Sequence, residues 1–283
     1  MKIIADSSST RTEWSLVEGD RVLEKAFTSG INPYFMTRRE ISHAIRLDLP
    51  EVFFRRRCEH VFFYGSGCAN VEKNRIMESS LVAQFKTHVT VESDLLGAAR
   101  GLLVRKPGLS CILGTGSNSC LYDGNEIVQT VSPLGFILGD EGSSAYMGKI
   151  MIADMLKGIA PNELTQSFYE RFNVSHNMLM NDIYSYSMPN RTLARYSKFL
   201  SENLGNEYVY NLVYDALMSF FTRNIIAYDY AEWPICFVGS TAVTYSEVLR
   251  RVATDFGATI DKICPSSTPG LIEFHAADVT EAV

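Results

Sequence analysis

The feature that most constrains this 283-residue sequence is the stretch 109–147, LSCILGTGSNSCLYDGNEIVQTVSPLGFILGDEGSSAYM. An apolar run, 109–113, ends in Gly114-Thr115-Gly116-Ser117-Asn118. A second short apolar segment, 119–122, follows, with Asp123-Gly124 behind it. Asp-Gly beside alternating runs is a strong hairpin signal. The glycines therefore belong to a turn between two strands, not to the start of a helix. Such a turn exposes backbone N–H groups with no side chains in the way, which suits an anion such as phosphate. Next comes Gly139-Asp140-Glu141-Gly142-Ser143-Ser144, a polar, acidic turn that opens a predicted helix over 144–156. One turn built for anions and one carrying carboxylates make a candidate nucleotide and substrate site.

A chain of this length holds one large or two medium domains. Its 46% hydrophobic and 20% charged residues are ordinary for a soluble globular protein. The net charge of −6 is spread without a strong block, and no Lys/Arg cluster exceeds the short run Arg55-Arg56-Arg57. That run is read as solvent-facing, so no nucleic-acid partner is expected. Six cysteines (Cys58, Cys68, Cys111, Cys120, Cys236, Cys264) show no C-x-x-C pairing. Several lie in apolar runs, which predicts reduced thiols in a cytoplasmic protein. Only a brief apolar run precedes Asp6, so no signal peptide is expected. No apolar stretch approaches the ~18 residues of a membrane span.

Residues 2–28 read as a three-stranded meander. Its first turn, Asp6-Ser7-Ser8-Ser9-Thr10-Arg11-Thr12, is rich in hydroxyls. By itself a Ser/Thr run after a strand is a turn held by side chain to backbone bonds. Asn32 precedes Pro33 in a loop, where it reads as a turn residue. Thr37 is a plausible cap for a helix over 37–47. A strand over 61–64 ends in Gly65-Ser66-Gly67-Cys68, a helix covers 71–85, and a strand covers 88–91. Asp94 then lies between that strand and a helix over 95–104. It is either a helix cap or a functional carboxylate at the carboxyl end of a sheet, where α/β proteins place ligands.

Lys106-Pro107-Gly108 is the predicted boundary between domains 1–108 and 109–283. Beyond it the strand–turn–strand pattern restarts, with 114–117 in the place of 6–12, so two similar domains are expected to face each other. Region 151–231 reads as helical, including one helix over 190–204 and a long apolar segment over 209–230. Met178, Met180, Met188, Tyr184, Tyr186, Phe220 and Phe221 there are expected in the core. A strand over 235–238 ends in Gly239-Ser240, followed by a helix over 244–256 and a strand over 258–263. Three motifs fail. Gly142 to Ile150 has neither the spacing nor the Ser/Thr of a P-loop. The five histidines lack ligand spacing. No Gly-x-Ser-x-Gly elbow is present.

GTGSNSCLYDG followed by GFILGDEGSSAYMGK resembles the N-acetylglucosamine kinase branch of the actin/Hsp70/sugar kinase superfamily, which includes the BadF/BadG-type ATPases. The resemblance implies an α/β protein of two ribonuclease H-like (actin-like ATPase) domains around a central cleft, with the last helix packing back on the first domain. It implies ATP-dependent phosphorylation of a hexosamine, N-acetylglucosamine first among them, in a cytoplasmic enzyme with Mg²⁺ and ATP, and a homodimer as the assembly. The family's first phosphate loop, Asp-Gly-Gly-x-Thr-Lys-Thr, is matched at Asp6, Thr10 and Thr12; Ser7 and Ser8 stand for the glycines and Arg11 for Lys.

The roles carried over follow phosphoryl-transfer chemistry. Ser9, Thr10, Thr12, Thr115 and Gly116 would hold phosphates, and Gly239 and Ser240 would border adenosine. Asp6 would hold Mg²⁺ through water. Asp94 would accept the sugar hydroxyl proton. Asn32, Asn118 and Asp140 would bind the sugar. Two alternatives stay open: a non-catalytic sugar or nucleotide sensor on the same fold, and a dehydratase-activator ATPase. The second would carry a cluster-binding Cys beside a Gly-Gly-Gln-Asp run, which this sequence lacks.

Overall fold

The computed structural model describes residues 1–185 and 188–277. Ten strands, β1 (Lys2–Ser7), β2 (Arg11–Glu18), β3 (Arg21–Ser29), β4 (His60–Gly65), β5 (His88–Ser93), β6 (Gly108–Leu113), β7 (Ser117–Tyr122), β8 (Ile127–Thr130), β9 (Ile235–Val238) and β10 (Ile260–Cys264), form two five-stranded sheets among the described residues. The orders are β3-β2-β1-β4-β5 and β8-β7-β6-β9-β10. Each sheet thus has its third, second, first, fourth and fifth strands side by side, and the internal repeat read from the sequence is a repeat of topology. In the first sheet β1 runs antiparallel to β2 and parallel to β4, and β4 runs parallel to β5, so the sheet is mixed.

The chain forms two compact units. The first comprises Met1–Ser110, Cys120–Gln129 and the segment from Ser266; the second comprises Cys111–Ser119 and Thr130–Pro265. In the first unit the period-2 alternation of a strand sends Ile3 and Ala5 to one face of the sheet and Ile4 to the other. Ile3, Ala5, Trp14 and Leu16 pack with Ile41 and Ile45 of the helix Arg38–Asp48 and Met77 and Leu81 of the helix Val71–Phe85. Ile4 and Val17 pack with Leu271 and Ile272 of the last helix, Thr268–Ala277. Both faces are therefore covered, and β2 shows six consecutive buried residues. The helix Arg38–Asp48 starts on a capping box between Thr37 and Glu40.

Several expectations change. The predicted helix over 190–204 is two helices, Pro189–Tyr196 and Lys198–Glu202. Ser197 sits at the break with its hydroxyl donating to Ala194 O at 2.9 Å, a back-bond that bends helices. The predicted helix over 244–256 begins earlier, as Ser240–Thr244, and resumes as Ser246–Phe256 after the buried Tyr245. Phe220 and Phe221 are core, as expected, but Met178, Met180 and Tyr184 are exposed. They lie on the helix His176–Tyr184, whose single fully buried residue is Leu179. Met180 and Tyr184 are four apart on one stripe and Leu179 lies on another, so apolar character alone misjudged the inner face. Met188 is half-buried, and Tyr186 lies outside the described residues. All six thiols are free, five of them buried. No helix among the described residues is long and apolar enough to cross a membrane.

Candidate active site

In the first unit the parallel strands fix the geometry. Ser7 on β1 pairs with Gly65 on β4, and Gly65 pairs with Ser93 on β5. The residues that follow these three ends, Ser8–Thr10, Ser66–Cys68 and Asp94, therefore leave the sheet at one edge, its carboxyl edge. Asp6 stands one residue before the end of β1, paired with Glu13 on β2.

Asp94 is the first residue of the helix Asp94–Leu103, and the cap is Ser93, whose hydroxyl accepts from Leu96 N–H at 3.2 Å. The capping reading of Asp94 is thus corrected. Burial pushes its pKa up to about 6, against the opposing influence of the neighbouring Leu95 N–H and Ser66 hydroxyl. Asp6 also rises to about 6, mainly by burial and further by Asp94 and Glu13, while the Ser267 hydroxyl and Arg11 oppose the shift. Glu13 is itself nearly buried and accepts from Ser266 Oγ at 2.8 Å and Lys25 Nζ at 3.2 Å.

The turn between β1 and β2 spends its hydroxyls on the protein. Ser7, fully buried, bonds Thr12 Oγ1 at 2.7 Å and accepts from Ile31 N–H at 3.1 Å. Thr12, also fully buried, donates to Ser29 O at 3.2 Å, so it braces the hairpin. Ser8 is exposed; its hydroxyl accepts from Thr10 and Arg11 N–H and donates to Arg11 O at 3.0 Å. Ser9 is half-buried and Thr10 exposed at the tip. Asn32 is pinned in an Asx turn, its Oδ1 accepting from Tyr34 N–H at 2.9 Å.

In the second unit Gly114-Thr115-Gly116 joins β6 to β7. Its carbonyls are taken from behind. Gly114 O accepts from Ser144 N–H at 2.9 Å and from Thr241 Oγ1 at 2.9 Å, and Thr115 O accepts from Ala145 N–H at 3.2 Å. Ser144 and Ala145 open the helix Ser144–Leu156, so its first amides fasten the turn. Among the described residues no acceptor takes the N–H groups of Thr115 and Gly116, and these donors can meet an anion. Asp140, in the left-handed region at φ 58°, accepts from Ser117 N–H at 3.2 Å and sits against Gly116. Burial raises its pKa, with Glu141 adding to the effect. Asn118 accepts from Ser119 N–H through its own side chain at 2.9 Å. Gly239 stands beside the end of β6: at φ 122°, with Leu113 O 2.3 Å from where a Cβ would be, only glycine fits. Ser240 follows it, exposed, as the first residue of its helix.

The first unit therefore gathers Asp6, Asp94, Ser9, Thr10 and Thr12 near one sheet edge, with Asn32 held beside Gly67. The second gathers Thr115, Gly116, Asp140, Asn118, Gly239 and Ser240 around its own first hairpin. Sequence reasoning missed Glu13, Ser66, Ser267 and Thr241. Glu13 takes its hydrogen bond from Ser266, 253 residues later, and nothing in the local pattern shows that partner.

No family model matches the chain, and no curated protein does. Solved structures do. A candidate N-acetylglucosamine kinase from Porphyromonas gingivalis is 38% identical over 99% of this chain and 100% of its own, with a TM-score of 0.95. A candidate N-acetylglucosamine kinase from Chromobacterium violaceum (16% identity, 96% and 98% covered, TM-score 0.74) shares the fold. So does a ROK family glucokinase from Streptomyces griseus, solved with glucose and AMPPNP (14% identity, 98% of each chain covered, TM-score 0.64). At 38% identity over the full length, with the same fold and the motifs in place, the chain belongs to the N-acetylglucosamine kinase branch of the actin/Hsp70/sugar kinase superfamily.

Proposed function

We propose that this protein is a cytoplasmic kinase that transfers the γ-phosphoryl group of ATP to a hydroxyl of a hexosamine, N-acetylglucosamine being the first choice. The observation that carries the reading is Asp94: a carboxylate that directly follows the end of β5 at the carboxyl edge of a sheet, pushed by burial up to about 6. A group poised there is ionised at neutral pH yet basic enough to take a hydroxyl proton. The sugar name comes from the 38%-identical Porphyromonas gingivalis protein and ATP from the AMPPNP-bound glucokinase, both supporting the reading by kinship.

In this reading Asp94 accepts the proton of the attacking hydroxyl. Thr115 and Gly116 offer N–H groups to the β- and γ-phosphates, with Ser9 and Thr10 as further donors, and Thr12 keeps their turn in shape. Gly239 and Ser240 border adenosine. Asn32, Asn118 and Asp140 orient the sugar. Among the described residues no three side chains make a metal cage. Mg²⁺ suits such a place, because it keeps most of its waters and takes phosphate oxygens, and Asp6, crowded by Asp94 and Glu13, gains from a cation. Bound there, Mg²⁺ would neutralise charge on the phosphates.

The test is ADP release with and without amino sugars. Release that depends on N-acetylglucosamine is expected, and Asp94→Asn should lower kcat by about 10²–10⁴-fold with both KM values within a few fold. Sugar binding without turnover would make the protein a sensor instead.

A further inference from the structure

On the face of the first sheet that meets the last helix, an apolar row ends in two carboxylates. The strand period of two puts Asp6 on the same face as Ile4, and Glu13 on the same face as Val17. Ile4 and Val17 pack with Leu271 and Ile272 of the helix Thr268–Ala277. Asp6 and Glu13 stand directly opposite each other on β1 and β2, where like charges repel. Two serines at the start of the last helix meet them, one each. Ser266 Oγ donates to Glu13 Oε2 at 2.8 Å, and Ser267 Oγ donates to Asp6 Oδ2. This helix start is fixed to its neighbour as well. Ser267 O accepts from Leu271 N–H at 3.0 Å, and Ser266 Oγ accepts from Thr268 N–H at 3.1 Å. A Cβ at Gly270 would lie 1.9 Å from Gly101 O, and one at Gly101 would lie 2.5 Å from Ser267 Cβ. Glycine at both places therefore lets the first turn lie directly on the helix Asp94–Leu103, which begins with Asp94.

We propose that Ser266 and Ser267 are positioning residues: they hold Glu13 and Asp6 at fixed places on the sheet edge that also carries Asp94, which makes the start of the last helix part of the candidate active site. The two serines have different tasks, because the carboxylates use their oxygens differently. Both oxygens of Glu13 are taken by the protein, Oε2 by Ser266 and Oε1 by Lys25 Nζ at 3.2 Å. Glu13 is therefore a fixed charge and not a ligand. Only Oδ2 of Asp6 is taken, by Ser267, and among the described residues no donor takes Oδ1. One held oxygen limits the rotation of the carboxylate and leaves the other for a water, the task given to Asp6 above. Without Ser267, repulsion from Glu13 would turn Asp6 aside. The close approach at Gly101 and Gly270 sets Asp6 and Asp94 on one framework. The part of this inference that concerns Mg²⁺ rests on the kinase reading above; the two serine contacts do not.

The experiment uses the full chain, with Mg²⁺ varied. Ser267→Ala should raise the Mg²⁺ concentration needed for half-maximal turnover about tenfold, the size expected for losing a hydrogen bond to a charged group. The sugar KM should not move. Calorimetric binding of AMPPNP supplies a readout without turnover. Mg²⁺ should tighten that binding less in Ser267→Ala than in the wild type, while binding in EDTA stays equal. Ser266→Ala should show the same pattern more weakly, because Lys25 still holds Glu13. Ile272→Val loosens the same helix without touching a carboxylate, so it should lower the melting temperature and leave the Mg²⁺ requirement alone. A thermal-melting cycle of Ser267→Ala, Asp6→Ala and the double variant should be non-additive, because the two groups interact. Should Ser267→Ala not fold, Ser266→Ala with Glu13→Ala carries the same cycle. If the wild type turns over no amino sugar, the kinase reading fails, and AMPPNP binding and the melting cycle decide whether Ser267 holds Asp6. Additive melting shifts, or an Mg²⁺ response in Ser267→Ala equal to that of the wild type, overturn the proposal.

Discussion

The turn between β1 and β2 and the turn between β6 and β7 hold equivalent places, each joining the first two strands of its sheet. The first turns its polar groups inward: Ser7 bonds Thr12 and Ile31, Thr12 bonds Ser29, and Ser8 closes the tip. The second has its carbonyls tied from behind by Ser144, Ala145 and Thr241, which leaves the N–H groups of Thr115 and Gly116 outward. One path thus yields a turn whose Ser7, Ser8 and Thr12 hydroxyls brace the protein in one case, and a turn whose backbone N–H groups stay unspent among the described residues in the other. The deciding factor is which atoms the rest of the unit consumes, not how many hydroxyls the turn contains.

The sharpest way to break this contrast is Gly116→Val. Asp140 Oδ2 already lies 3.0 Å from where a Cβ would be, so added carbons must push the turn or the carboxylate aside. Losing the amide contacts to a phosphate should raise the ATP KM about 10–100-fold, the range of a hydrogen bond to a charged group. The sugar KM should move far less. Steady-state kinetics with each substrate varied will show it, and an unchanged ATP KM would remove this turn from the nucleotide site.

Asp140 sharpens the contrast further, because it has two tasks. It accepts from Ser117 N–H at 3.2 Å beside the turn, and it is proposed to bind the sugar. Asp140→Asn keeps an acceptor for Ser117 and should raise the sugar KM by about tenfold while sparing ATP. Asp140→Ala loses the acceptor as well and should raise both. If Asn and Ala behave alike, with equal effects on the two substrates, Asp140 only props the turn.

These two residues also mark how much was legible. GTGSNS and GDEGSS are contiguous motifs whose turn chemistry is local, so the sequence located them and the structure keeps them adjacent. The helix Val71–Phe85 and the strand Ile235–Val238 match their predicted bounds because their periodicity and flanking turn residues are local too. Glu13 and Ser267 were invisible because their partners are far along the chain: Ser266 Oγ reaches Glu13 at 2.8 Å, and Ser267 bonds Asp6. The exposure of Met178 and Tyr184 was likewise hidden, since it depends on what the helix lies against. The capping role fell to Ser93 rather than Asp94 because β5 runs two residues past the predicted end.

A smaller effect tests the acidic crowding that accompanies the first turn. The Asp94 pKa of about 6 lies above the ordinary carboxylate range near 4. Between those pH values the folded protein keeps a proton that the unfolded chain has released. The contribution of this group to stability is therefore greatest in acid and is lost as pH rises through about 6. Asn carries no such cost. Asp94→Asn should melt a few degrees above the wild type at pH 8, and the gap should close as pH falls toward 4. A gap that is absent at pH 8, or that widens in acid, would mean that the carboxylate is not strained by its burial.

The smallest expected effect is that of Ser8→Gly, which moves the first turn one step toward the family's Asp-Gly-Gly pattern. Ser8 is exposed, and its hydroxyl serves the turn itself by accepting from Thr10 N–H at 3.4 Å and Arg11 N–H at 3.3 Å. Those are long bonds in contact with water, so their loss costs little, about 0.5–1 kcal/mol together with the added freedom of the unfolded chain. The backbone closure from Ser8 N–H to Arg11 O at 2.9 Å does not depend on the side chain and should persist. The ATP KM should then stay within about threefold of wild type, the melting temperature should drop slightly, and the sugar KM should not move. Ser7→Gly makes the internal control. It strips the buried hydroxyl that Ile31 N–H donates to at 3.1 Å, so it should lower the melting temperature more while leaving the ATP KM alone. A Ser8→Gly enzyme whose kcat/KM for ATP rises several fold would show that the serine had kept the phosphates at a distance. A fall of more than about tenfold would show the opposite, that the Ser8 hydroxyl itself meets the phosphates alongside Ser9 and Thr10.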